Sequence, residues 1–379
     1  MMLVLLASAS ALTLEEAVIR AESVNPAALV AALEAQRARL DAAEAYASLG
    51  LTPQLAVSRS WSGGASVTSS SFGVNVGALD ASAWLNGAQR SAEAAAAKFA
   101  AEGTALDAQY SAAFLFVSAV VGERAVAARG ATVAAAEGTA EAVAVRVQAG
   151  LDSELLGRRA EAAVLVARAE RLRAVAEARI ARIRLQRALE LGELGELVAP
   201  APLSLPQGAE GSPWLRVANQ NVRAAEMNHL EDLAGLLPTG GLAATTPLDG
   251  LAWSVNLSAT WQLSGVAGPF LQERRSALAT RIARTQLDAL KKDLDAELEA
   301  SVQSARVARE VRSAHEAREA LAVEALSIGS VRLAAGLDSS LEVLLLQDEL
   351  ASARAASVAA ELEEYSAILE SRRVAGLAW

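Results

Sequence analysis

Two long proline-free stretches, residues 54–199 and 270–379, constrain the fold of this chain more than any other feature. Proline interrupts a helix because its ring removes a backbone N–H and clashes with the preceding turn. Stretches that lack it can therefore form very long helices. Four of the nine prolines fall in a Pro/Gly-rich segment between residues 192 and 213. We predict two helix-rich repeats, residues 12–191 and 214–379, separated by a connector at 192–213.

The two repeats share short segments at a nearly constant spacing. The Gly-Leu-Asp-Ser run at 150–153 recurs at 336–339, an offset of 186 residues. About a hundred residues earlier, Gly-Leu-Thr-Pro at 50–53 is matched by Gly-Leu-Leu-Pro at 235–238, an offset of 185 residues. Unrelated segments would rarely keep one offset over such a distance, so the pattern indicates a tandem duplication.

Each repeat is expected to contain a helical segment, a strand pair, a very long helix and a returning helix. Apolar periodicity, the positions of Pro and Gly, and polar capping residues set the limits of these elements. In the first repeat they cover 14–48, 54–62 with 70–77, 81–148 and 154–191, and in the second 214–236, 241–246 with 252–263, 270–334 and 340–374.

Capping residues predict where several helices begin and end. Thr13 and Glu16 have the spacing of a capping box at the start of the first helix. The Asn25-Pro26 pair is expected to kink or break that helix. Two matching sets would end the long helices and cap the returning ones: Gly150 with Asp152 or Ser153, and Gly336 with Asp338 or Ser339.

Alternating apolar and polar residues predict strands with two different faces. From Trp253 to Leu263, apolar residues occupy every second position and small or uncharged residues occupy the others. Eleven residues suit a tilted transmembrane strand, and tryptophan near both ends suits the aromatic girdle of a membrane interface. We expect a membrane-facing surface formed by Trp61, Phe72, Val74, Trp253, Val255, Leu257 and Trp261.

The small number of strands bears on assembly. Four strands cannot close a barrel, and an open sheet edge is not tolerated in lipid. If these strands enter a membrane, several copies of the chain must share one barrel. Soluble strands also alternate, so a small capping sheet on a soluble helical rod stays open as the alternative.

Composition excludes several classes of function. The chain has no cysteine and only two well-separated histidines, so we expect neither thiol chemistry nor a metal site. The net charge of −10 argues against a nucleic-acid partner. The absence of nucleotide-binding and catalytic motifs predicts a protein that is not an enzyme and needs no cofactor. The acidic run Glu361–Glu364 is expected on a solvated helix face.

Two patterns concern export and the membrane. No uninterrupted run of 18 apolar residues occurs, so no single helix is expected to span a bilayer. Residues 1–11 contain an apolar run followed by Ala9-Ser10-Ala11, which is typical of a signal-peptide cleavage site. We therefore predict an exported protein without a membrane-spanning helix.

The order and spacing of these landmarks resemble the outer membrane efflux protein family, the TolC-like channel-tunnels. The resemblance covers residues 12–379 and depends on the duplicated halves, the Asn25-Pro26 pair, the Leu-Thr-Pro-Gln-Leu segment at 51–55 and the Gly-Leu-Asp-Ser turns. Residues 336–344 match best. It implies a mainly α fold with short β segments, in which duplicated long α-helical hairpins join transmembrane β-strands.

The same resemblance implies an assembly and a location. Family members are homotrimers with a 12-stranded barrel continuous with a 12-helix periplasmic tunnel. They lie in the outer membrane of Gram-negative bacteria, in contact with its lipid and with most of their mass in the periplasm. They act as exit ducts for tripartite efflux pumps or type I secretion systems, together with a periplasmic adaptor and an inner-membrane transporter. These partners and this location are expectations for the present chain.

Site residues are carried over from the family onto matching positions. The adaptor-contacting tip would comprise Gly150, Leu151, Asp152, Ser153, Gly336, Leu337, Asp338 and Ser339, although helix capping alone could explain these residues. Glu342 would line the aperture as a ring of three like charges that favours cations. Leu156 and Leu345 stand where the family often has acidic residues, which predicts a more apolar aperture. The rival interpretation is a periplasmic coiled-coil adaptor or structural rod.

Overall fold

The computed structural model describes residues 11–47, 49–62, 65–76, 81–206, 208, 211–235, 239–247, 253–260 and 267–379. Each half of the chain contains a helical segment, a strand pair, a long helix and a returning helix in that order, and the helical segment is two helices in the first half and one in the second. In the first half the elements are α1 (Leu14–Val24), α2 (Pro26–Ala47), β1 (Leu51–Ser62), β2 (Ala65–Val76), α3 (Ala81–Gln148) and α4 (Glu154–Ala188). In the second half they are α5 (Pro213–Ala234), β3 (Thr239–Pro247), β4 (Ser254–Thr260), α6 (Ala267–Ala334) and α7 (Ser340–Val374).

The lengths of the helices repeat as well as their order. Both α3 and α6 have 68 residues, and both α4 and α7 have 35. The predicted bounds of α3 and α7 agree with the structure, and α6 begins three residues earlier than predicted. A tandem duplication explains why the helices before and after the shared turn sequence have equal lengths in the two halves.

The first helical segment breaks where the sequence predicts it. The backbone of Asn25 is extended, with φ −67° and ψ 120°, so α1 ends there and α2 begins at Pro26. Asn25 Oδ1 accepts a hydrogen bond of 2.9 Å from the Ala27 N–H. This N–H lies in the first turn of α2 and has no hydrogen-bond acceptor within the helix. At the other end of α1, Thr13 and Glu16 form the predicted capping box.

The four strands form one antiparallel sheet in the order β1-β2-β3-β4. β1 and β2 are longer than predicted: β1 begins at Leu51, which pairs with Val76, and β2 begins at Ala65, which pairs with Ser62. Residues 239–247, only weakly strand-like in sequence, form β3 and pair with both neighbours. The predicted extension of β4 to residue 263 lies outside the described residues.

The chain divides into two compact units. Unit 1 contains the described parts of residues 1–28, 105–209 and 294–379, and unit 2 contains those of 29–104 and 210–293. Unit 2 holds the sheet, with α2 and α5. Unit 1 holds the turns between α3 and α4 and between α6 and α7. Each unit draws on both halves of the sequence.

Alanine allows close helix packing in unit 1. The Cα atom of Ala178 in α4 lies 3.2 Å from the position that a β-carbon would take on Gly122 in α3. Further along, α3 packs on α4 through Val133, Ala136, Val164 and Ala167, and α6 packs on α7 through Ala322, Leu350 and Ala353. Glycine and alanine at these positions therefore allow the paired helices to approach closely.

The expectation of a solvated Glu361–Glu364 run is wrong for two of its residues. The Glu361 and Glu364 side chains are buried, and only Glu363 of the three glutamates is exposed. Glu361 pairs with Arg124 of α3, while Glu364 accepts hydrogen bonds from Arg309 and Arg312 of α6, each at 2.9 Å. The carboxylates are buried because arginines from two other helices neutralise them.

One helix meets a simple test for a membrane span. Among the described residues, α3 contains an 18-residue window apolar enough, by length and composition only, to cross a membrane. The criterion of an uninterrupted apolar run missed this window. However, α3 also contributes fully buried side chains to unit 1, including Phe116 and Val117. Core helices of soluble proteins pass the same test, so the window has an ordinary packing explanation.

Candidate functional site

The two turns between the paired helices have the same backbone geometry. Gly150 and Gly336 adopt positive φ angles of 72° and 75°. In the first turn, Leu151 N–H donates to the Arg146 carbonyl at 2.9 Å and Gly150 N–H donates to the Val147 carbonyl at 3.0 Å. The second turn repeats this pattern 186 residues later. These are Schellman motifs, and they confirm the predicted role of both glycines in ending the long helices.

Each turn contains an arginine–aspartate pair that the sequence analysis missed. Arg146 Nε donates to Asp152 Oδ2 at 2.9 Å. Arg332 donates to both carboxylate oxygens of Asp338, at 2.8 and 2.9 Å. The signal was present in the sequence, because Arg146 and Arg332 keep the same offset of 186 residues as the turns themselves.

The arginine–aspartate pairs explain why the aspartates do not cap the returning helices. Ser339 Oγ accepts a hydrogen bond of 3.2 Å from the Glu342 N–H and caps α7. Ser153 occupies the corresponding position of α4 but makes no such side-chain bond. Asp152 and Asp338, the alternative caps, are engaged by arginines instead.

The first turn is also tied to the second hairpin. Ser340 Oγ donates a hydrogen bond to Asp152, and Arg146 Nη1 donates to the Leu333 carbonyl at 3.3 Å. The hydrogen bond from Ser340, assisted by the one from Arg146, holds the pKa of Asp152 below its ordinary value despite partial burial. These contacts place the two turns side by side at one end of unit 1.

Apolar side chains point outward from these turns. Leu151 and Leu337 are exposed, as are Leu155 and Leu341 one turn further along the returning helices. A β-carbon on Gly150 or Gly336 would meet nothing within 4 Å, so the surface around the glycines is open. The end of unit 1 thus presents small and apolar groups over a framework of paired charges.

Glu342 lies in the first turn of α7 and is exposed. Its carboxylate is close enough to Arg332 to contribute to the raised pKa of that guanidinium, although the hydrogen bond to Asp338 contributes more. Leu345, one turn further along α7, is exposed. The Glu342 and Leu345 side chains are therefore accessible at the surface of the chain.

Five of the predicted membrane-facing residues share one face of the sheet. Val74 pairs with Ala244, which pairs with Val255, and Phe72 lies two residues from Val74 on β2. Trp253, directly before β4, is 65% exposed, and Val255 and Leu257 on β4 are 69% and 78% exposed. Leu55 and Val57 of β1 add to this face and are also exposed.

The opposite face of the sheet is polar. Ser58 Oγ lies 2.8 Å from Ser69 Oγ across β1 and β2, and Thr245 Oγ1 lies 2.7 Å from Ser254 Oγ across β3 and β4. Trp61 belongs to β1, but its side chain, like all of Trp261, lies outside the described residues. Hydroxyl side chains therefore line the face opposite to Phe72, Val74 and Val255, although Ser70 and Thr68, which pair with Val57 and Arg59, lie on the apolar side.

Metal binding has no support in the described part of the chain, where no group of three or more His, Asp or Glu side chains could hold an ion. The turns and the sheet both present surfaces suited to contacts with other molecules. At the turns, each carboxylate of the arginine–aspartate pairs is bound to a guanidinium.

Comparison of sequences finds no relative, since no family model and no curated protein matches the chain. Comparison of structures does find similar proteins. The MtrE outer membrane channel of Neisseria gonorrhoeae is 18% identical over 96% of this chain and 88% of its own, with a TM-score of 0.81. The outer membrane protein VceC of Vibrio cholerae is 17% identical over 96% of each chain, with a TM-score of 0.80.

A third channel gives the same result. CusC, studied for transmembrane channel formation, is 15% identical over 96% of this chain and 91% of its own, with a TM-score of 0.82. At such identities the likeness establishes the fold, and it confirms at that level the resemblance inferred from the order of landmarks. The chain has the TolC-like fold of outer-membrane efflux channels.

Proposed function

We propose that the protein is an outer-membrane exit duct that works as a homotrimer. The observation that supports this most strongly is the two-faced sheet, with Trp253, Val255 and Leu257 exposed on its apolar side. A capping sheet on a soluble rod would bury such a face or make it polar. Outer-membrane strands instead direct apolar residues to lipid and polar residues to the lumen.

The edges of the sheet favour a shared barrel. In the described part of one chain, β1 and β4 are the edge strands of the sheet, and each pairs with a neighbouring strand on one side only. Because lipid cannot satisfy the free backbone groups, β4 of one copy must pair with β1 of the next. Three copies of four strands form a 12-stranded barrel. Each of the three copies also contributes α3, α4, α6 and α7, and these twelve helices form a tunnel on the periplasmic side.

The turns form the tip of the duct in this proposal. A periplasmic adaptor would contact the residues 150–153 and 336–339, where Leu151 and Leu337 provide exposed apolar groups. The arginine–aspartate pairs hold the turns in a fixed shape for such a contact. An inner-membrane transporter would supply the energy, because a passive conduit has none of its own. Both a tripartite efflux pump and a type I secretion system fit this arrangement.

Extraction and size test the proposal. The protein should remain in the outer-membrane fraction, require detergent for release, and run as a trimer of about 117 kDa from chains of 39.1 kDa. Light scattering coupled to size exclusion measures the mass without the bound detergent. A chain that is released by salt or high pH, and that is monomeric or dimeric, would exclude the duct and favour the adaptor or rod.

The aperture assignment predicts a change in ion selectivity. If three copies of Glu342 surround the pore, Glu342→Gln should lower the cation-to-anion permeability ratio about twofold, because the ring of negative charge is lost. The reversal potential in planar bilayers under a salt gradient measures this ratio. Glu363→Gln, on the same helix and also exposed, is the control and should leave the ratio unchanged. Equal ratios for wild type and Glu342→Gln would remove Glu342 from the aperture.

A further inference from the structure

A cavity of about 470 Å³ lies within unit 1, between the α3–α4 hairpin and the α6–α7 hairpin. A small organic molecule needs a cavity of this size. Most of the lining is apolar and consists of alanine, valine and leucine side chains. Three lining residues, Arg159, Val166 and Leu345, are exposed, so the cavity is open to solvent. The cavity is complete within one chain.

A buried amide in the lining has an unused acceptor. Gln347 is only 8% exposed. Its Nε2 donates to the Ala135 carbonyl at 2.7 Å and to Thr139 Oγ1, both on α3. Its Oε1 is buried, and no described residue donates a hydrogen bond to it. Because an unpaired buried acceptor is costly, this oxygen favours a ligand that brings an O–H or N–H group.

A second unused polar atom lies two helical turns further along α7. Arg354 lines the same cavity, and its Nη1 is buried without a described hydrogen-bond acceptor. Its ion-pair partner Glu319 approaches Nε at 3.7 Å, which is too far for a hydrogen bond. Gln347 and Arg354 are seven residues apart, or roughly 10 Å along the helix. A ligand that uses both atoms must therefore be elongated, with a donor at one end and an acceptor at the other.

The charged lining residues favour a negative ligand. Arg129 and Arg159 line the cavity together with Arg354, against two acidic residues, Glu170 and Asp348. Glu170 is held in ion pairs with arginines, and Asp348 is exposed. Three arginines against two carboxylates leave one net positive charge around an apolar cavity. An organic anion matches this charge.

A second groove of about 760 Å³, between α3 and α6, shares part of this lining, including Gln347 and Arg354. Thr139, which accepts from the amide nitrogen of Gln347, lines this second groove only, so the oxygen at the other end of the amide is left to the first cavity. The remaining arginine of the second groove, Arg146, is already paired with Asp152. The first cavity is therefore the better site for an anion.

We propose that the first cavity binds an elongated organic anion that carries a hydroxyl or N–H group at the end away from its acidic group. The hydroxyl donates to Gln347 Oε1, and the acidic group accepts from Arg354 Nη1. The apolar body of the ligand packs against the side chains of α4 and α7, among them Ala163 and Leu350. Both buried polar atoms then have partners, which selects this class of ligand over neutral or purely apolar molecules.

Three matched compounds test this chemistry by isothermal titration calorimetry on the full chain in detergent, with detergent alone as the blank. The compound para-hydroxyphenylbutanoate has both polar ends and should bind saturably, with one site per chain. Phenylbutanoate lacks the donor and should bind about tenfold more weakly, because Gln347 Oε1 stays unpaired. The amide para-hydroxyphenylbutanamide lacks the charge and should also bind about tenfold more weakly. Equal affinities for the three compounds, or no saturable heat, would overturn the site.

The variant Arg354→Gln separates recognition of the anion from a general change in structure. It should lose the tenfold preference for para-hydroxyphenylbutanoate over the amide, while it binds the neutral amide as tightly as wild type does. A merely structural effect would weaken the binding of both compounds together. That result would contradict the assignment of Arg354 to the acidic group.

Phenylalanine at two alanines locates the ligand. Ala163 lines only the first cavity and Ala142 lines only the second groove. Ala163→Phe should therefore abolish binding, and Ala142→Phe should leave it unchanged. Loss of binding in Ala142→Phe alone would place the ligand in the second groove and refute the assignment. A wild-type protein that is not trimeric would contradict the proposed duct but not this site, because the cavity is complete within one chain.

Discussion

Replacing Glu364 by glutamine should lower the free energy of unfolding by about 2 kcal/mol. Glu364 is 8% exposed and accepts hydrogen bonds from Arg309 and Arg312 of α6. Removing one partner of a buried ion pair typically costs 3–5 kcal/mol, because the other charge stays desolvated. The expected loss is smaller here, since the Arg309 and Arg312 side chains are 52% and 28% exposed and keep part of their hydration.

The measurement is the thermal loss of helical circular dichroism from the full chain in detergent. Glu364→Gln should unfold at a lower midpoint than wild type. Glu363→Gln is a matched control, since Glu363 is one residue away in the same helix but exposed and outside the arginine pairs. If the two variants unfold at the same temperature, the buried pairs do not stabilise the contact between α6 and α7.

The contrast between Glu363 and Glu364 shows that burial of a charged side chain could not be predicted from the sequence here. Helical periodicity places Glu361 and Glu364 on the same side of α7 as Ile368, but two carboxylates on that side do not by themselves predict burial. Burial is decided by Arg124, Arg309 and Arg312, which come from α3 and α6. Partners that lie more than fifty residues away in sequence leave no trace in the local pattern.

Helix limits were predictable because local chemistry determines them. Pro26 and the extended Asn25 separate α1 from α2, and Gly150 and Gly336 end α3 and α6. The strands were less predictable. Residues 65–69 are small and mostly polar, so the alternation that identifies a strand begins only near Phe72, although pairing with β1 extends β2 back to Ala65.

The turn region was located correctly, but part of its chemistry was not identified. The Gly-Leu-Asp-Ser repeats marked both turns, and either the aspartate or the serine of each turn was expected to cap the returning helix. In the structure, the aspartates form ion pairs with Arg146 and Arg332 instead. Those arginines repeat with the turns and could have been found by extending the repeat upstream. The bond from Ser340 to Asp152 could not, because it depends on how the two hairpins pack.

Replacing Gly122 by leucine should destabilise the protein by about 3 kcal/mol, near the upper end for overpacked cores. α3 and α4 approach each other closely here, with Ala178 Cα 3.2 Å from the β-carbon position of Gly122. A backbone atom cannot move aside as a flexible side chain could. A leucine must therefore push α4 away from α3, which separates neighbouring contacts such as those of the buried Leu185.

Gly138 is the matched control because it lies in the same helix but has nothing within 4 Å of its β-carbon position. Gly138→Leu should leave stability unchanged or raise it by up to about 1 kcal/mol, since leucine is a better helix former than glycine. Thermal midpoints of the two variants, measured side by side, separate packing from helix propensity. If both leucines changed the midpoint equally, steric contact with Ala178 would not be what requires glycine at position 122, and the alanine-rich packing of α3 on α4 would be looser than the 3.2 Å approach indicates.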